Sequence, residues 1–338
     1  MKKQNIRFDY PISEMMNLLT CHWKTQIIYS AVEIGIIDLL AVQPMTIDVL
    51  LSKLNTNYLH DKVRRFLCAL ITLDVIELKE NILYITKLGL LLSESFDGSL
   101  KAYAKLSGDK FYKAWGNLSN SLKYDKKSAY EIAWGKGIYK DESLDTKLFA
   151  KAMFTFSQPI YTLLVDLIKK SNAKKIIDLG GGDGKVAIEL CKKIKKLEIT
   201  VYDRKEYKDQ LLNIESLFTF EVGDILKLIP SGYDTYMLVR VLHNWPDEDV
   251  MTILKNIYSA MNSKQQRLYI IDTFVYNKLD NISALMDINI MVLTGGKIRS
   301  VQEYIKICKE CSFELNQEII LNNNNGRILE FGPIRKMI

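Results

Sequence analysis

The segment IIDLGGGDG, at residues 176–184, constrains the fold more than any other part of this chain. A short apolar run is followed at once by four glycines and two aspartates. Glycine-rich turns directly after a strand let the backbone approach a ligand closely, and they bind dinucleotides, nucleoside triphosphates or smaller nucleosides. Because these ligands require different residues at fixed places in the turn, the spacing can distinguish between them.

The sequence around this turn has the alternating pattern of a parallel sheet. From Lys174 onwards, short apolar runs alternate with helical stretches, as in a sheet covered by helices on both faces. The tail contains two strand-like runs around an Asn-Gly turn at residues 325–326, which predicts a closing antiparallel hairpin. We therefore predict an α/β fold with a mostly parallel sheet that ends in an antiparallel hairpin.

The first hundred residues have a different, helical pattern. Apolar residues recur at three- and four-residue intervals from Ser13 to about Leu40, and Thr46 is placed to cap a further helix. The run VIELKENILYIT is broken at Glu80-Asn81, which predicts a hairpin behind the helices, as in winged-helix domains. The predicted division is an all-helical, winged-helix-like domain at 1–100 and a second domain at 101–338, with a helical segment at 101–170 and a sheet-forming core at 171–338.

Charged residues leave a second interpretation of the N-terminal domain open. Lys62, Arg64 and Arg65 lie on its second amphipathic helix, which raises the hypothesis of DNA binding. The net charge of +6 is spread over many lysines and acids, however, whereas a specific DNA-binding protein shows a clearer basic surface. We interpret these residues as a solvated helical face and the apolar helices as a homodimer interface, with no nucleic-acid partner.

Composition favours a cytoplasmic globular protein. The chain is 48% hydrophobic and 25% charged, and it has no uninterrupted run of about 18 apolar residues that could span a membrane. The N-terminal MKKQNIRFDYP lacks the apolar stretch of a signal peptide. Five scattered cysteines suit reduced thiols, and the CKEC spacing at Cys308 and Cys311 has no second pair or nearby histidine to complete a metal site. We expect no metal and no membrane association.

The spacing of the glycine turn excludes two of the three ligand types. A triphosphate-binding loop ends in Gly-Lys-Ser/Thr, whereas Val186 lacks the hydroxyl that would hold magnesium. A dinucleotide-binding loop requires a small residue where this chain has Lys185, which would obstruct close packing of helix and strand. The pattern that remains is D-x-G-x-G-x-G, with Asp178 at the end of the strand and Gly180 and Gly182 in the turn. Asp178 would repel a pyrophosphate, but it suits an ammonium group.

Two further acids follow at the ends of the next two strands. Asp203 closes EITVYD, where a carboxylate can accept hydrogen bonds from both ribose hydroxyls. Asp224 closes FEVGD, where it can accept from an adenine amino group while Ile225 packs on the ring. This ordered set describes an adenosine ligand that is uncharged or cationic. S-adenosylmethionine fits, because its sulfonium and ammonium groups are positive and it carries no phosphate.

At these motifs the chain resembles a family, the class I methyltransferases, and within it the O-methyltransferases of small molecules from plant phenylpropanoid and bacterial polyketide or phenazine pathways. The motifs that carry the resemblance are DLGGGDG, GDIL, VLHNWPDEDV and TGGKIRS. The resemblance implies a Rossmann-like catalytic domain, an N-terminal winged-helix dimerisation domain, a homodimer, and S-adenosylhomocysteine as product. The cofactor contacts that it implies are Asp178, Gly180, Gly182, Asp203, Asp224, Ile225, Arg240, Trp245 and Ser157.

His243 is the candidate general base. It follows the strand DTYMLVRVL, at the edge where such sheets bind ligands, and a histidine that titrates near neutrality can deprotonate a hydroxyl. The chain has three histidines, and the other two lie on N-terminal helices. By resemblance, His243 matches the family's base and Asp272 matches one of two acids that orient it. The second acid belongs where this chain has Ile298, so the base could be weaker or the acceptor could need less activation.

The resemblance also implies substrate contacts from the helical segment and from the stretch ALMDINIMVL. They are Phe149, Met153, Ile290, Met291 and Trp115. A wall rich in aromatic and methionine side chains suits a flat aromatic acceptor. We therefore expect an S-adenosylmethionine-dependent O-methyltransferase of a small aromatic secondary metabolite. A cofactor-binding enzyme with a non-methylating reaction (hydroxylation, decarboxylation or pericyclic ring closure), an N-methyltransferase and a ligand-sensing winged-helix regulator remain as alternatives.

Overall fold

A computed structural model describes residues 12–54, 58–124, 127–208, 217–275, 281–320 and 326–335, without the side chains of residues 156–162, 206, 281 and 282. The chain divides into two compact units, the first ending at Lys110 and the second beginning at Phe111. This boundary lies ten residues beyond the predicted one. The helix Lys101–Gly108 belongs to the first unit, because the Gln26 amide donates a hydrogen bond of 2.8 Å to the Gly108 carbonyl and a side chain at Gly108 would collide with Tyr29.

The N-terminal unit is mostly helical, and a small antiparallel sheet is built into it. Its elements are α1 (Ile12–Leu19), α2 (Cys21–Glu33), α3 (Ile36–Val42), β1 (Met45–Thr46), α4 (Ile47–Lys53), α5 (His60–Thr72), β2 (Ile76–Lys79), β3 (Ile82–Ile85), α6 (Lys87–Leu90) and α7 (Lys101–Gly108). The sheet order is β1-β3-β2. Glu80 and Asn81 both have positive φ, 47° and 66°, as a two-residue type I′ turn requires. The predicted hairpin is therefore present, and the unit is not entirely helical.

The core of this unit is apolar. Thr46 caps α4 by accepting from the Val49 N–H, as the sequence predicts. Within the described residues, no single helix has both the length and the apolar character to cross a membrane. Among these residues, only the bent pair α2 and α3 is long and apolar enough when the two helices are taken together. This pair supplies buried core residues such as Ala31, Ile36 and Leu40.

The second unit is built on a seven-stranded sheet. Its elements are α8 (Lys110–Trp115), α9 (Leu118–Ser121), α10 (Ala129–Trp134), α11 (Thr146–Ser171), β4 (Lys175–Leu179), α12 (Lys185–Lys193), β5 (Glu198–Asp203), α13 (Lys205–Lys208), β6 (Thr219–Val222), β7 (Thr235–Val239), α14 (Asp247–Ala260), β8 (Arg267–Thr273), α15 (Asn281–Thr294), α16 (Val301–Glu310), β9 (Phe313–Ile320) and β10 (Gly326–Pro333), with short 3-10 turns at Ile138–Lys140 and Leu242–Asn244.

The order of this sheet is β6-β5-β4-β7-β8-β10-β9. The first five strands in that order are parallel, and β10 and β9 close the sheet as an antiparallel hairpin, so the predicted fold class is confirmed. The predicted turn of this hairpin includes residue 325, which lies outside the described residues. Strand order reverses between β4 and β7, and ligands bind parallel sheets at such a switch point, beyond the carboxyl ends of the strands.

Apolar layers cover both faces of the sheet. Residues of α14 and α16 form one layer, which includes Val250, Leu254 and Tyr304. Residues of α11 and α12 form the other, which includes Leu164 and Val186. Because β4 to β8 are parallel, their carboxyl ends meet at one edge of the sheet, and the predicted site residues lie there.

Candidate active site

Asp178 is a buried carboxyl group without a partner in the described part of the chain. It lies in β4 with no exposed surface, and neither of its carboxylate oxygens accepts a hydrogen bond there. Burial, together with the negative charge of Asp203, raises the pKa of Asp178 to about 7. Because a buried unpaired charge is costly, this position favours the arrival of a cation. A cationic ligand with an ammonium group fits this observation.

The glycine turn packs around these acids. Gly180, Gly182 and Gly184 have positive φ of 73°, 58° and 73°, a conformation that glycine adopts without strain. A side chain at Gly181 would stand 2.7 Å from an oxygen of Asp178, so the close approach there also needs glycine. The Gly182 N–H donates 2.7 Å to Oδ2 of Asp203 and links the turn to the next strand end.

The three predicted acids follow three neighbouring strands, β4, β5 and β6. Oδ1 of Asp203 accepts from the Arg204 N–H at 2.7 Å, and Oδ2 accepts from the Gly182 N–H. Oδ1 of Asp224 accepts from the Leu226 N–H at 3.0 Å, and its side chain is 44% exposed. Ile225 beside it is buried. The structure therefore places the predicted ammonium, ribose and adenine contacts in order along one edge.

His243 and Asp272 form a buried pair at the ends of β7 and β8. The His243 ring lies against Asp272 through Nδ1, and the His243 backbone N–H donates to Oδ2 at 3.2 Å. The Thr273 N–H donates 2.8 Å to Oδ1. Although burial acts in the opposite direction, the interaction with His243 holds the pKa of Asp272 below its usual value. Because the carboxylate is ionised and can only accept, Nδ1 carries the proton that faces it, and in the neutral tautomer of the ring the lone pair lies on Nε2.

Sequence reasoning missed two residues that support this pair. The Tyr304 hydroxyl, from α16, donates 2.9 Å to Oδ2 of Asp272. Arg299 is fully buried and donates to the carbonyls of Leu242 and Trp245, at 3.1 and 2.8 Å, so it bridges the two ends of the turn that carries His243. Arg299 lies in the motif TGGKIRS and Tyr304 follows it shortly after. An arginine within a recognised motif is the only sequence signal that points to this support.

The backbone of that same segment also holds the His243 turn. The Lys297 N–H donates 2.9 Å to the His243 carbonyl, and a side chain at Gly296 would lie 2.1 Å from that oxygen. Ile298, where the second acid was expected, is buried, and its N–H donates 2.7 Å to Oδ1 of Asp287. The segment therefore positions the turn even though it offers no carboxylate at position 298.

Arg240 and Trp245 flank the His243 turn. Arg240 has a φ of 57°, a strained value for a residue other than glycine, and Nη1 of its guanidinium donates 3.1 Å to the Thr273 hydroxyl. The Trp245 ring is stacked against Tyr139, with ring centroids 6.1 Å apart. Sequence reasoning did not single out Tyr139. Its carbonyl accepts from the Arg204 guanidinium, which also lies over its ring, so Tyr139 connects the end of β5 to Trp245 beside the His243 turn.

The predicted substrate contacts fall into two groups. Phe149, in α11, meets Tyr139 edge to face at 6.3 Å, and Met153 lies one turn further along that helix. In the other group, the Trp115 indole donates 3.1 Å to Asn289, next to the half-buried Ile290 and Met291 of α15. The α15 helix contacts the His243 turn. The side chain of Ser157 lies outside the described part of the chain.

The cysteines do not form a site. Burial raises the pKa of the Cys308 and Cys311 thiols, so these groups stay protonated and inert. The described residues contain no group of three or more histidine, cysteine, aspartate or glutamate side chains that could hold a metal ion.

A parallel sheet with an unpaired acid behind a glycine turn, and further acids at the next two strand ends, defines a class I methyltransferase. Family models agree: an O-methyltransferase domain matches residues 115–314, and an O-methyltransferase dimerisation domain matches residues 16–86. The chain belongs to the O-methyltransferase family. It is an S-adenosylmethionine-dependent methyltransferase of the type that acts in secondary metabolism.

Known relatives are similar over most of their length. The 3-amino-4-hydroxybenzoate 4-O-methyltransferase of Streptomyces cremeus is 27% identical over 89% of this chain and 85% of the relative. The phenazine O-methyltransferase of Lysobacter antibioticus is 24% identical over 99% and 100% of the two chains. The structure of a mitomycin 7-O-methyltransferase superposes with a TM-score of 0.86 at 24% identity, covering 95% of this chain and 97% of the other, and shares the fold.

Proposed function

We propose that this enzyme methylates a hydroxyl group of a small aromatic metabolite, with His243 as the general base. The observation that carries the proposal is the buried His243–Asp272 pair. The ionised carboxylate of Asp272 accepts a hydrogen bond from the Nδ1–H of the ring, so in the neutral ring Nε2 is the nitrogen that can accept a proton. A neutral imidazole nitrogen in this state can take a proton from a hydroxyl group.

The residues of the chain divide the chemistry between them. When bound, S-adenosylmethionine supplies a methyl group on a positively charged sulfur. Nε2 of His243 takes the proton of the acceptor hydroxyl, and Asp272 stabilises the imidazolium that results. Asp178, Asp203 and Asp224 would hold the ammonium group, the ribose and the adenine. Their placement at three successive strand ends fixes the cofactor against the base, and alignment of this kind provides much of the catalysis of a group transfer.

Two features support an aromatic acceptor. The aromatic cluster of Tyr139, Phe149 and Trp245 provides flat surfaces beside the His243 turn. In addition, the names of two relatives specify aromatic compounds, 3-amino-4-hydroxybenzoate and a phenazine. We propose that Phe149, Met153, Ile290, Met291 and Trp115 contact the acceptor.

Ile298 limits how strongly the base can be supported. Only Asp272 holds the His243 ring among the described residues, so an acceptor that ionises readily, such as an acidic phenol, or an amine suits this site best. A reaction that uses the cofactor without methyl transfer is the second candidate, and it rests on the same substitution.

We also propose that the protein is a homodimer formed through its N-terminal unit. The α1 helix has no buried residue, and Ile12, Leu18 and Trp23 are 72%, 67% and 58% exposed. Clustered apolar exposure of this kind marks interaction surfaces. The match to a dimerisation domain, at residues 16–86, covers Leu18 and Trp23. Sedimentation velocity gives the test: a concentration-independent monomer would contradict the proposal.

The function is tested by calorimetric titration with S-adenosylmethionine and S-adenosylhomocysteine, followed by methyl-transfer assays on phenols, hydroxyquinones and anilines. Cofactor binding with release of S-adenosylhomocysteine and a methylated phenol supports the proposal. Methylated anilines with untouched phenols would make it an N-methyltransferase. A product formed without S-adenosylhomocysteine would support the second candidate and overturn the first.

A further inference from the structure

We infer that Tyr304 is a positioning residue of the catalytic pair, because its hydroxyl fixes the Asp272 carboxylate that orients His243. The inference rests on the proposed role of His243 as the base. It adds a third member to the pair, from a helix outside every motif by which the site is recognised.

The position of Tyr304 is set by the start of α16. Ser300 and Glu303 form a capping box there, in which each side chain accepts from the other residue's backbone N–H. The Tyr304 N–H donates 3.1 Å to the Ser300 carbonyl. Tyr304 is therefore held in the first turn of the helix, and its ring points into the layer between α16 and the sheet.

Three contacts fix the Tyr304 ring. It meets Phe274 edge to face, with ring centroids 5.3 Å apart. The Arg299 guanidinium lies 5.8 Å from the ring centroid. The hydroxyl donates 2.9 Å to Oδ2 of Asp272, and all four residues are buried. Tyr304 thus joins the catalytic pair to the arginine that bridges the ends of the His243 turn.

The direction of the hydrogen bond follows from the charges. Burial and the nearby Asp272 raise the pKa of Tyr304 well above its usual value, so the phenol keeps its proton. The Asp272 carboxylate is ionised and can only accept. Oδ2 accepts from Tyr304 at 2.9 Å and from the His243 N–H at the longer distance of 3.2 Å. Without the Tyr304 hydroxyl, Oδ2 of Asp272 loses the shorter of these two hydrogen bonds and keeps the longer bond from the His243 N–H.

The hydrogen bond from Tyr304 to Asp272 is more important for orienting His243 in this chain because position 298 is an isoleucine. The described part of the chain places no second carboxylate on the His243 ring, so the orientation of the base depends on Asp272. A phenylalanine would fill the space of Tyr304 equally well. The hydroxyl is therefore needed for the carboxylate, and not for packing.

The test compares Tyr304→Phe with Tyr269→Phe. Tyr269, in β8, is likewise a buried tyrosine whose hydroxyl donates to a carboxylate, that of Glu330 at 3.2 Å. Its side chain belongs to the apolar layer on the opposite face of the sheet from Tyr304. Because the chain has three histidines, the ring N–H spectrum of ¹⁵N-labelled protein is simple, and His243→Ala identifies the His243 signal. The wild-type ring should give one low-field Nδ1 proton. Tyr304→Phe should shift or broaden this signal, and Tyr269→Phe should leave it in place.

Turnover gives a second readout that packing alone would not change. With S-adenosylmethionine and a series of ring-substituted phenols, Tyr304→Phe should lower kcat about tenfold for weakly acidic phenols, as expected for loss of a hydrogen bond to a charged group. The loss should shrink for acidic phenols, which need less help from the base. Cofactor affinity should be unchanged, because the hydroxyl of Tyr304 bonds to Asp272 and not to Asp178, Asp203 or Asp224.

The outcomes separate this inference from the proposed function. If His243→Ala loses turnover while Tyr304→Phe keeps both the wild-type Nδ1 signal and the wild-type kcat, the inference is wrong and the proposed base stands. An equal loss on every phenol makes Tyr304 merely structural and also overturns the inference. If His243→Ala retains turnover, the proposed base itself fails. Should Tyr304→Phe not fold, the wild-type Tyr304 hydroxyl proton still decides: rapid exchange with water would contradict a buried, bonded hydroxyl.

Discussion

The cofactor edge, formed by the acids Asp178, Asp203 and Asp224, and the catalytic pair of His243 and Asp272 lie at the ends of strands of one sheet. The two regions are built in opposite ways. At the cofactor edge, Asp178 is buried with both oxygens unbonded among the described residues. At the catalytic pair, Asp272 is equally buried, yet it accepts from His243, Thr273 and Tyr304. The first arrangement is incomplete until a cation arrives, whereas the second is complete before any ligand binds. Asp178 therefore lacks a partner for its charge within the described residues, whereas Asp272 uses its hydrogen bonds to hold the ring and backbone of His243.

The largest effect is expected at the catalytic pair. His243→Ala removes the group that takes the proton, and general-base catalysis typically contributes about 10²–10⁴-fold. We expect kcat with a weakly acidic phenol to fall by about that factor, measured as release of S-adenosylhomocysteine. His60→Ala, which changes a histidine in the separate N-terminal unit, is the matched control. A His243→Ala enzyme as fast as wild type would show that the pair is not catalytic.

The next effect concerns the stability of the turn that carries the base. Arg299→Met removes the donors to the Leu242 and Trp245 carbonyls and to Asp247. Each buried group left unsatisfied costs about 1–3 kcal/mol, so we expect a loss of about 2–4 kcal/mol in the free energy of unfolding, measured with urea. Arg267→Met is the control, because that side chain is one-third exposed beside Glu330 and should lose much less. Equal losses in both variants would contradict the bridging role of Arg299.

The unpaired Asp178 predicts a pH dependence for the cofactor-free protein. Its pKa is raised to about 7 in the fold, while the unfolded chain has the ordinary aspartate value, so the folded state binds more protons between about pH 4 and 7. Stability should therefore fall as the pH rises through this window, by at most about 4 kcal/mol. Asp178→Asn should flatten this part of the melting-temperature profile. A variant with the same slope as wild type would mean that Asp178 is already ionised and paired.

The smallest effect tests the helix that holds Tyr304. Ser300→Ala removes half of the capping box of α16 and should cost about 1 kcal/mol in the free energy of unfolding. Thr46→Ala, which removes the cap of α4 in the other unit, is the control and should cost a similar amount. Only Ser300→Ala should also disturb the low-field His243 signal. If neither variant changes that signal, the start of α16 has no influence on the catalytic pair.

The sequence predicted the elements whose signal is local. The glycine turn, the acids at strand ends and the Glu80-Asn81 hairpin depend on the residues of one segment, and the structure contains each of them. The motifs predict His243 and Asp272 as site residues, and the structure places these two side chains together. The division after Lys110 depends on packing that no local pattern encodes, such as that of Gly108 on Tyr29, which brings together residues far apart in the chain.

The supporting residues escaped prediction for the same reason. Tyr304 has the helical spacing of an ordinary core residue, and only the fold shows that its hydroxyl reaches a carboxylate 32 positions away. Arg299 reaches carbonyls 54 and 57 positions away. Tyr139 lies in one short 3-10 turn, and its partner Trp245 follows another, the turn Leu242–Asn244, far along the chain. No periodicity in the sequence encodes such pairs.

The contrast between the two regions is tested most directly by titrating S-adenosylmethionine into Asp178→Asn and His243→Ala in parallel with wild type. If Asp178 binds the ammonium group, Asp178→Asn should bind the cofactor about 10–100-fold more weakly, as expected for a lost bond between charged groups. If His243 acts only on the acceptor, His243→Ala should bind the cofactor as tightly as wild type. Wild-type affinity in Asp178→Asn, or weakened affinity in His243→Ala alone, would contradict the account.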